Sequence, residues 1–514
     1  MGRDLGHSGS GSEGLGSATV PGEWQALPVT DPTPTRPRVV VVGGGISGLA
    51  AAWRLARLRH DLDITVLEGS AAVGGKLRVS EIDGVAVDEG AESMIATRPE
   101  AVLLAREVGL GEDLVHPAVS APSLFLDNDL VPLPSGLMMG VPTDLSALAR
   151  SGVITPQSLA RIPLDHLIPA TPIGDDISIG EYVARRLGPE VVVRLVAPLL
   201  MGVYADRPIN ISMRVAAPAL FEAAKADRSL LEAAKAARNR STAIATAGPV
   251  FAGIRGGVGR FPMVLAEKLQ AAGVSIETGV TVRDVARAPR GWRVITGATT
   301  DERSIDADAV ILAVPAPVAA RLAKGLSVQA ETELSELEVT SVAVVTHLYR
   351  RDDLPGGDLP EGSGYLTPSD ARRPVKAATF ASHKWQWIDD AVAPRGLVAV
   401  RCSLGMADDV EVLQRDDDEL ARLAADDLAF AARLGRARPV ASRVTRWGGG
   451  LPRYAVGHVD RAERITAALQ SLPGLAVCGA AYDGVGIAAC IGRADKAAAH
   501  ISQGLGSHGE WRHG

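Results

Sequence analysis

The chain has 514 residues, of which 46% are hydrophobic and 22% charged, the ordinary composition of a soluble globular protein. Its formal net charge of -7 gives no reason to expect a nucleic-acid partner, which would require a basic face. The cysteines Cys402, Cys478 and Cys490 lack metal-ligand spacing, so no metal site and a reduced, cytoplasmic compartment are expected. Without a signal-peptide pattern or a run of about 18 apolar residues, membrane association is expected to be peripheral at most.

The first elements in chain order form a βαβ unit. Residues 1–36 are rich in Gly, Ser, Pro and Thr and predict a disordered tail, as do residues 505–514. The β-branched run from Arg38 to Val42 predicts a buried parallel strand. An Ala/Leu-rich helix from about 46 to 59 and a second strand at 64–67 follow it.

The rest of the chain predicts two further domains. Residues 101–240 alternate helical stretches with Pro-rich loops, which indicates a helical domain on the substrate or membrane side. Residues 331–469 are expected to form a mixed-sheet, substrate-binding domain. Residues 340–350, 375–382 and 397–404 alternate like its strands, and residues 418–435 predict a helix. The predicted fold is therefore α/β with α+β parts. A discontinuous Rossmann-like domain comprises residues 37–100, 250–330 and 470–504.

A glycine motif follows the first strand: Gly43-Gly44-Gly45-Ile46-Ser47-Gly48. The pattern G-x-G-x-x-G between a strand and a helix is typical of dinucleotide binding. Gly43 permits the tight turn, Gly45 admits a pyrophosphate, and Gly48 lets the helix pack close to the strand. Glu68 ends the second strand, where its carboxylate can bind a ribose diol and would repel the 2′-phosphate of NADP. The alternative, a glycine-rich turn without a ligand, is disfavoured because strand, glycines, helix and acid occur together.

Further loops rich in glycine follow in order. They are Gly69-Ser-Ala-Ala-Val-Gly74-Gly75-Lys76, Asp88-Glu89-Gly90-Ala91-Glu92-Ser93 and Gly479-Ala-Ala-Tyr-Asp-Gly484-Val485-Gly486-Ile487. Glycines at such positions let the backbone come close to a ligand. A solvated lysine at position 76 and a plain polar turn at 88–93 are the simpler interpretations of the first two.

Taken together, these loops resemble the amine-oxidase-like flavoprotein superfamily. Longer segments resemble, more narrowly, the protoporphyrinogen/coproporphyrinogen oxidase family, in the branch typical of Gram-positive bacteria. Those segments are 131–142, 197–205, 256–262, 444–447, 451–458 and 483–491. The resemblance covers the chain from about residue 38 to about residue 505. Ala91 and Glu92 depart from it, since Pro and Asp are expected there.

The resemblance implies non-covalent FAD. It implies that Lys76 meets a phosphate or the flavin edge, that the loop at 90–93 passes beside the isoalloxazine, and that the backbone near Val282 meets the adenine. The helix after Gly486 would face the flavin pyrimidine with its positive end. The implied cofactor-binding residues are Gly43, Gly44, Gly45, Ile46, Ser47, Gly48, Glu68, Gly69, Gly75, Lys76, Gly90, Ala91, Glu92, Ser93, Val282, Trp447, Gly479, Val485, Gly486 and Ile487.

The resemblance also implies a reaction, the oxidation of coproporphyrinogen III to coproporphyrin III in haem biosynthesis. Three hydride transfers reach flavin N5, and dioxygen takes up the electrons to form hydrogen peroxide. The cofactor carries this chemistry, so no catalytic side chain is expected. Arg98, Arg207 and Arg453 are candidates to bind the substrate propionates, although each is equally consistent with a solvated surface arginine. Contact with other enzymes of haem synthesis is a possible further partnership.

Several alternatives stay open on the sequence. Protoporphyrinogen IX differs from coproporphyrinogen III only at two peripheral groups, and only the family branch favours the latter. An amine oxidase often needs an aromatic cage, which the 4% aromatic content disfavours. A desaturase of long isoprenoids would expose a larger apolar mouth, and a porphyrin-binding delivery protein would carry no flavin. The apolar segment 137–141 can line a macrocycle pocket or simply fill core.

Overall fold

The computed structural model describes residues 36–244 and 249–506, with no side-chain detail at 241–244. The predicted tails, 1–36 and 505–514, therefore lie outside the described residues except for positions 36, 505 and 506. At the C-terminal boundary Leu505 is buried, and its carbonyl accepts a hydrogen bond from Arg59 Nη1 at 2.6 Å. The packed chain thus continues to Leu505, one residue beyond the predicted boundary.

The elements are numbered in chain order. The strands are β1 (Arg38–Val42), β2 (Asp63–Glu68), β3 (Val79–Ile82), β4 (Val85–Asp88), β5 (Met94–Ile95), β6 (Leu114–Val115), β7 (Ser123–Leu126), β8 (Asp129–Pro132), β9 (Leu137–Met138), β10 (Val141–Pro142), β11 (Phe251–Ile254), β12 (Ser275–Thr278), β13 (Val282–Arg287), β14 (Trp292–Ala298), β15 (Asp301–Ala307), β16 (Ala309–Leu312), β17 (Val339–Arg350), β18 (Gly364–Leu366), β19 (Val375–Phe380), β20 (Leu397–Leu404), β21 (Ala441–Pro452) and β22 (Leu475–Val477). The helices are α1 (Ile46–Leu58), α2 (Pro99–Glu107), α3 (Leu145–Ser151), α4 (Pro156–Arg161), α5 (Ile179–Leu187), α6 (Pro189–Val191), α7 (Ala197–Tyr204), α8 (Met213–Ala216), α9 (Pro218–Ala226), α10 (Leu230–Ile244), α11 (Arg260–Ala271), α12 (Ala316–Ala323), α13 (Val328–Ser335), α14 (Ala381–Lys384), α15 (Gln386–Val392), α16 (Asp417–Ala431), α17 (His458–Gln470), α18 (Ala480–Asp483) and α19 (Ile487–Gly504).

A five-stranded parallel sheet has the order β12-β2-β1-β16-β22. Its strands come from three separate stretches of the chain, so the predicted discontinuous Rossmann-like fold is confirmed. Side chains of β1 alternate between two cores, as the period of a strand requires. Val39 and Val41 pack with α1, α11 and α19, whereas Val40 and Val42 pack with α12, α13 and α17. Burial on both faces explains the unbroken valine run.

A seven-stranded mixed sheet has the order β21-β17-β20-β19-β18-β7-β8. All its pairings are antiparallel except β18 with β7. Here β7 and β8 come from residues 123–132, which the sequence analysis had assigned to the helical domain. Their alternate residues fill two cores, because Phe125 packs under α16 while Leu124 and Leu126 pack against the helices. The predicted strand at 375–382 ends earlier, at Phe380, where the short helix α14 begins.

The helices between residues 145 and 244 pack around their own apolar core, which includes Leu187, Leu195, Phe221 and Leu230. The helix α7 also packs against β18 and β19 of the mixed sheet. Within the described ranges, none of the helices is both long enough and apolar enough to cross a bilayer.

Candidate functional site

The glycine motif at the end of β1 leaves one open position in an otherwise crowded turn. Gly43 has a φ of 109°, which favours glycine. A Cβ on Gly48 would lie 1.9 Å from the carbonyl oxygen of Gly43, so helix and turn are in direct backbone contact. A Cβ on Gly45, by contrast, would meet no atom within 4 Å. Open space at the start of α1, where backbone N–H groups lack side-chain caps, fits an anionic pyrophosphate.

Glu68 lies beside this turn at the end of β2. Its Oε2 accepts a hydrogen bond from Gly44 N at 2.7 Å, and its Oε1 accepts one from Ser70 N at 2.7 Å. Each carboxylate oxygen can accept more than one hydrogen bond, so the half-buried Glu68 retains capacity for ribose hydroxyls. Val282 begins β13 nearby, but its side chain is in the core, so a contact with a ligand would have to use its backbone.

The loop from Gly69 to Lys76 lies against the glycine motif. Gly74 N donates to Gly44 O at 2.9 Å, and a Cβ on Gly75 would lie 3.4 Å from the Cα of Gly45. The Lys76 side chain is half-buried and makes no hydrogen bond or ion pair with the residues that the structure describes. Burial lowers the pKa of Lys76, and the nearby Cys490 sulfur would oppose this only as a thiolate. An anionic group beside Lys76 would stabilise its ammonium.

The loop at 88–93 completes the same region. A Cβ on Gly90 would lie only 1.7 Å from Lys76 O, so this glycine permits the close approach of two backbones. The Trp447 indole donates to Glu89 O at 2.9 Å, and its Cζ2 would lie 3.4 Å from the same Cβ. Trp447 therefore packs behind the loop. Ala91 is exposed and Ser93 half-buried.

Glu92 is held by two cations that the sequence analysis did not single out. Lys384 Nζ donates to Glu92 Oε1 at 2.5 Å, and Arg401 Nη1 lies 3.1 Å from Glu92 Oε2. Arg401 also donates to Gly90 O. Burial alone would raise the pKa of Glu92, but Lys384 and Arg401 lower it to about 2, so the carboxylate stays ionised. We call Glu92, Lys384 and Arg401 the loop triad.

Asp88, at the other end of the loop, joins it to the 256–259 turn. Its Oδ2 accepts from Val258 N at 3.0 Å and its Oδ1 from Gly259 N at 2.9 Å. Burial raises the pKa of Asp88 to about 6, although these two N–H donors favour the ionised form. A small cavity lies between Asp88, Glu92 and Arg401. Lys384 and Arg401 are more than 290 residues from Glu92 in sequence. The only sequence signal for them is the acidic loop at 88–93, whose carboxylates require cationic partners if they are buried.

The C-terminal glycine loop follows β22, the edge strand of the parallel sheet, and leads into α19, which packs against α1. Gly479 and Gly484 have φ angles of 133° and 124°, and α19 begins at Ile487 after the uncapped Gly486. The half-buried Val485 lies within the turn. With 18 residues, α19 is long enough to develop a positive N-terminal end, which fits an electron-rich ring edge.

The buried thiols of Cys478 and Cys490 flank this turn. Cys478 Sγ lies 3.8 Å from Ser47 O, and Cys490 Sγ lies 3.8 Å from Gly484 O. Burial raises the pKa of both thiols, that of Cys478 to about 12. They are therefore protonated and poorly nucleophilic at neutral pH.

Each arginine predicted to bind propionates already contacts a carboxylate of the chain. Arg98 Nη2 lies 2.9 Å from Glu100 Oε1, and Arg207 pairs with Asp408. A further pair joins Arg453 Nε to Asp206 Oδ2 at 2.7 Å, and Glu338 contacts the same guanidinium. These three assignments stay predictions, and a substrate carboxylate would have to share or displace the existing partners.

Known proteins are similar to this chain over most of its length. A family model described as flavin containing amine oxidoreductase matches residues 46–502. A protein from Mycobacterium tuberculosis named coproporphyrinogen III oxidase is 36% identical over 471 residues, covering 90% of this chain and 97% of its own. A protein of the same name from Bacillus subtilis is 30% identical over 478 residues, covering 91% and 97%. A solved structure named putative protoporphyrinogen oxidase, from Exiguobacterium sp. 255-15, has a TM-score of 0.79 and 29% identity over 91% of this chain and 99% of that one.

Proposed function

Because the chain belongs to the flavin-containing amine oxidoreductase family, as its sequence predicted, we propose that it is an FAD-dependent coproporphyrinogen III oxidase. The observation that carries the proposal is the similarity, over about nine tenths of the chain, to relatives that bear that name. The open position at Gly45, the acid at Glu68 and the uncapped starts of α1 and α19 support the flavin part of it.

In this proposal the chain binds and orients, and its side chains perform no covalent step. Backbone N–H groups at the start of α1 bind the pyrophosphate, and the Glu68 carboxylate accepts hydrogen bonds from the ribose hydroxyls. The loop triad fixes the Gly90 backbone, and the start of α19 favours negative charge on the opposite ring edge. A bound flavin supplies the hydride acceptor.

The stoichiometry follows from the substrate. Three two-electron oxidations remove six hydrogens from the porphyrinogen, and three dioxygen molecules become three of hydrogen peroxide. The buried, protonated Cys478 and Cys490 are poor nucleophiles, which supports non-covalent FAD. We further propose that the enzyme is cytoplasmic, that it contacts membranes at most peripherally, and that it acts in haem synthesis.

Anaerobic reduction of the bound flavin tests the proposal. The purified holoenzyme should be yellow, and coproporphyrinogen III should bleach it faster than protoporphyrinogen IX. Comparable rates would favour protoporphyrinogen oxidation as well, a second candidate that the name of the Exiguobacterium structure supports. Bleaching by amines alone would favour an amine oxidase, and a colourless protein that binds porphyrin would favour a delivery role.

A further inference from the structure

Lys376 is a buried cation without a partner. It lies on β19 with 4% of its surface exposed, and its Nζ has no hydrogen-bond partner in the part of the chain that is described. Lysines are almost never buried to this extent unless they are paired. Leaving a buried ammonium or amine group without a hydrogen bond is unfavourable, because its desolvation is not compensated. Such a group calls for a partner that the chain itself does not supply.

A β-bulge orients this residue. Val375 pairs with Leu404 and Ala377 pairs with Ser403, so Lys376 is the extra residue between two successive pairs. The backbone carbonyl of Lys376 still accepts a hydrogen bond from Thr367 N at 2.8 Å. Bulges bend the strand and redirect a side chain, and they occur often beside active sites. The strand therefore departs from regular pairing at the buried lysine.

The turn after β20 lies near Lys376, since Val375 pairs with Leu404 at the end of β20 and the charges of Asp408 and Asp409 act on the lysine. Ala407 N in that turn donates to Ala205 O, at the end of α7, at 2.9 Å. Met406 packs with Ala197 and Met201 of the same helix. Because α7 also packs on β18 and β19, this region lies where the mixed sheet meets the helical layer.

Two acids act on Lys376 from a distance. Burial lowers the pKa of Lys376 to about 7, and the charges of Asp409 and Asp408 oppose this only in part. Both acids are exposed, and Asp408 is already paired with Arg207. Other ionisable groups on the adjoining segments are Tyr204, Tyr365, Arg373 with its partner Asp427, and Arg401 with its partner Glu92. None of these contacts the Lys376 ammonium.

We propose that Lys376 binds a carboxylate of the substrate, an inference that rests on the proposed function. The substrate class is a porphyrinogen with several propionates, and the three arginines considered for them are occupied by acids of the chain. A carboxylate is the partner that a desolvated ammonium lacks, and charge-assisted hydrogen bonds of this kind are strong. Lys376 is then a residue that determines affinity for acidic porphyrinogens and takes no part in the hydride transfer.

The proposal has a pH signature. In the free enzyme Lys376 is about half protonated near pH 7, whereas a bound carboxylate favours the ammonium form. Binding should therefore take up a proton above about pH 7, and affinity should fall as the pH rises. A lysine with a merely structural role would not link its protonation to the substrate.

The test compares wild-type holoenzyme with Lys376→Met and with Lys324→Met, an exposed lysine as the matched control. In Lys376→Met we expect KM for coproporphyrinogen III to rise about tenfold near pH 6.5, kcat to change much less, and the rise of KM between about pH 6.5 and pH 8.5 to disappear. An unchanged KM with an unchanged pH profile, in a variant with normal flavin content, would overturn the inference. Failure of the wild type to oxidise any porphyrinogen would instead overturn the proposed function, and this inference with it.

Proton uptake provides a second measurement that needs no variant. Binding of coproporphyrin III to the wild-type holoenzyme, followed with a pH indicator in weak buffer at about pH 8, should take up close to one proton. Binding without uptake would contradict the assignment even if Lys376→Met failed to fold. The Lys324→Met protein should take up as many protons as the wild type.

Discussion

The loop triad makes a sharp prediction about Glu92. Replacement by alanine removes the one carboxylate that Lys384 and Arg401 share, 2.5 and 3.1 Å from its oxygens. Both cationic side chains are less than one fifth exposed, so water compensates the loss poorly. Two adjacent, partly buried positive charges would then repel each other beneath the Gly90 loop.

The magnitude follows from the pKa of Glu92. Burial favours the neutral acid, yet Lys384 and Arg401 lower the pKa from 4.5 to about 2. That lowering corresponds to roughly 3–3.5 kcal/mol, at about 1.4 kcal/mol for each tenfold change in the acidity constant. Removing one partner of a buried ion pair typically costs about 3–5 kcal/mol, which is consistent. Because the folded pKa is lowered, this stabilisation is fully present above about pH 4.5 and is lost as the pH falls towards about 2.

The assay is urea unfolding at about pH 7, with flavin content measured beside it. We expect Glu92→Ala to lose roughly 3 kcal/mol of unfolding free energy, and Glu92→Gln, which keeps the shape, to lose somewhat less. The control is Glu302→Gln, since Glu302 forms an ion pair with Arg283 in which it is 49% exposed, and such pairs contribute only about 0–1 kcal/mol. If Glu92→Ala were no less stable than Glu302→Gln, the account of the triad would be wrong.

Three further predictions concern the parallel sheet, the helical layer and the mixed sheet. Gly45→Ala should leave the thermal midpoint of the apoprotein unchanged but reduce flavin binding, whereas Gly48→Ala should destabilise the apoprotein itself, because only the second Cβ meets backbone. Asp165→Ala should cost about 3–5 kcal/mol in urea unfolding, because it leaves the fully buried Arg186 without the carboxylate 2.6 Å away. Burial lowers the pKa of His347 to about 4, so His347→Phe should reduce the loss of stability between about pH 6.5 and pH 4 by roughly 3 kcal/mol; an unchanged pH dependence would refute this.

The parallel sheet could be predicted because its signals are local. The strand, the glycines and the helix of the first βαβ unit are successive in sequence, and their periods and turn chemistry determine them. The predicted helix at 418–435 appears as Asp417–Ala431 for the same reason, since its buried residues recur at helical spacing. In the mixed sheet, by contrast, β7 pairs with β18 across more than 230 residues. The alternation of apolar and polar residues shows which side chains of a strand share a face, but it does not identify the strand with which it pairs.

The same distinction separates the two sides of the candidate site. The glycine motif, Glu68 and the loops at 69–76 and 88–93 lie in one short stretch of chain, where backbone geometry limits what each residue can do. Arg401 and Lys376 lie on β20 and β19, and Lys384 ends the short helix α14 that follows β19, so their positions depend on the pairings of the mixed sheet. The sequence alone indicates propionate-binding arginines only by residue type, and in the structure Arg98, Arg207 and Arg453 are already paired with acids. A buried lysine without a partner can be recognised only once its burial is known. For substrate binding, a buried side chain without a partner is therefore more informative than the residue type alone.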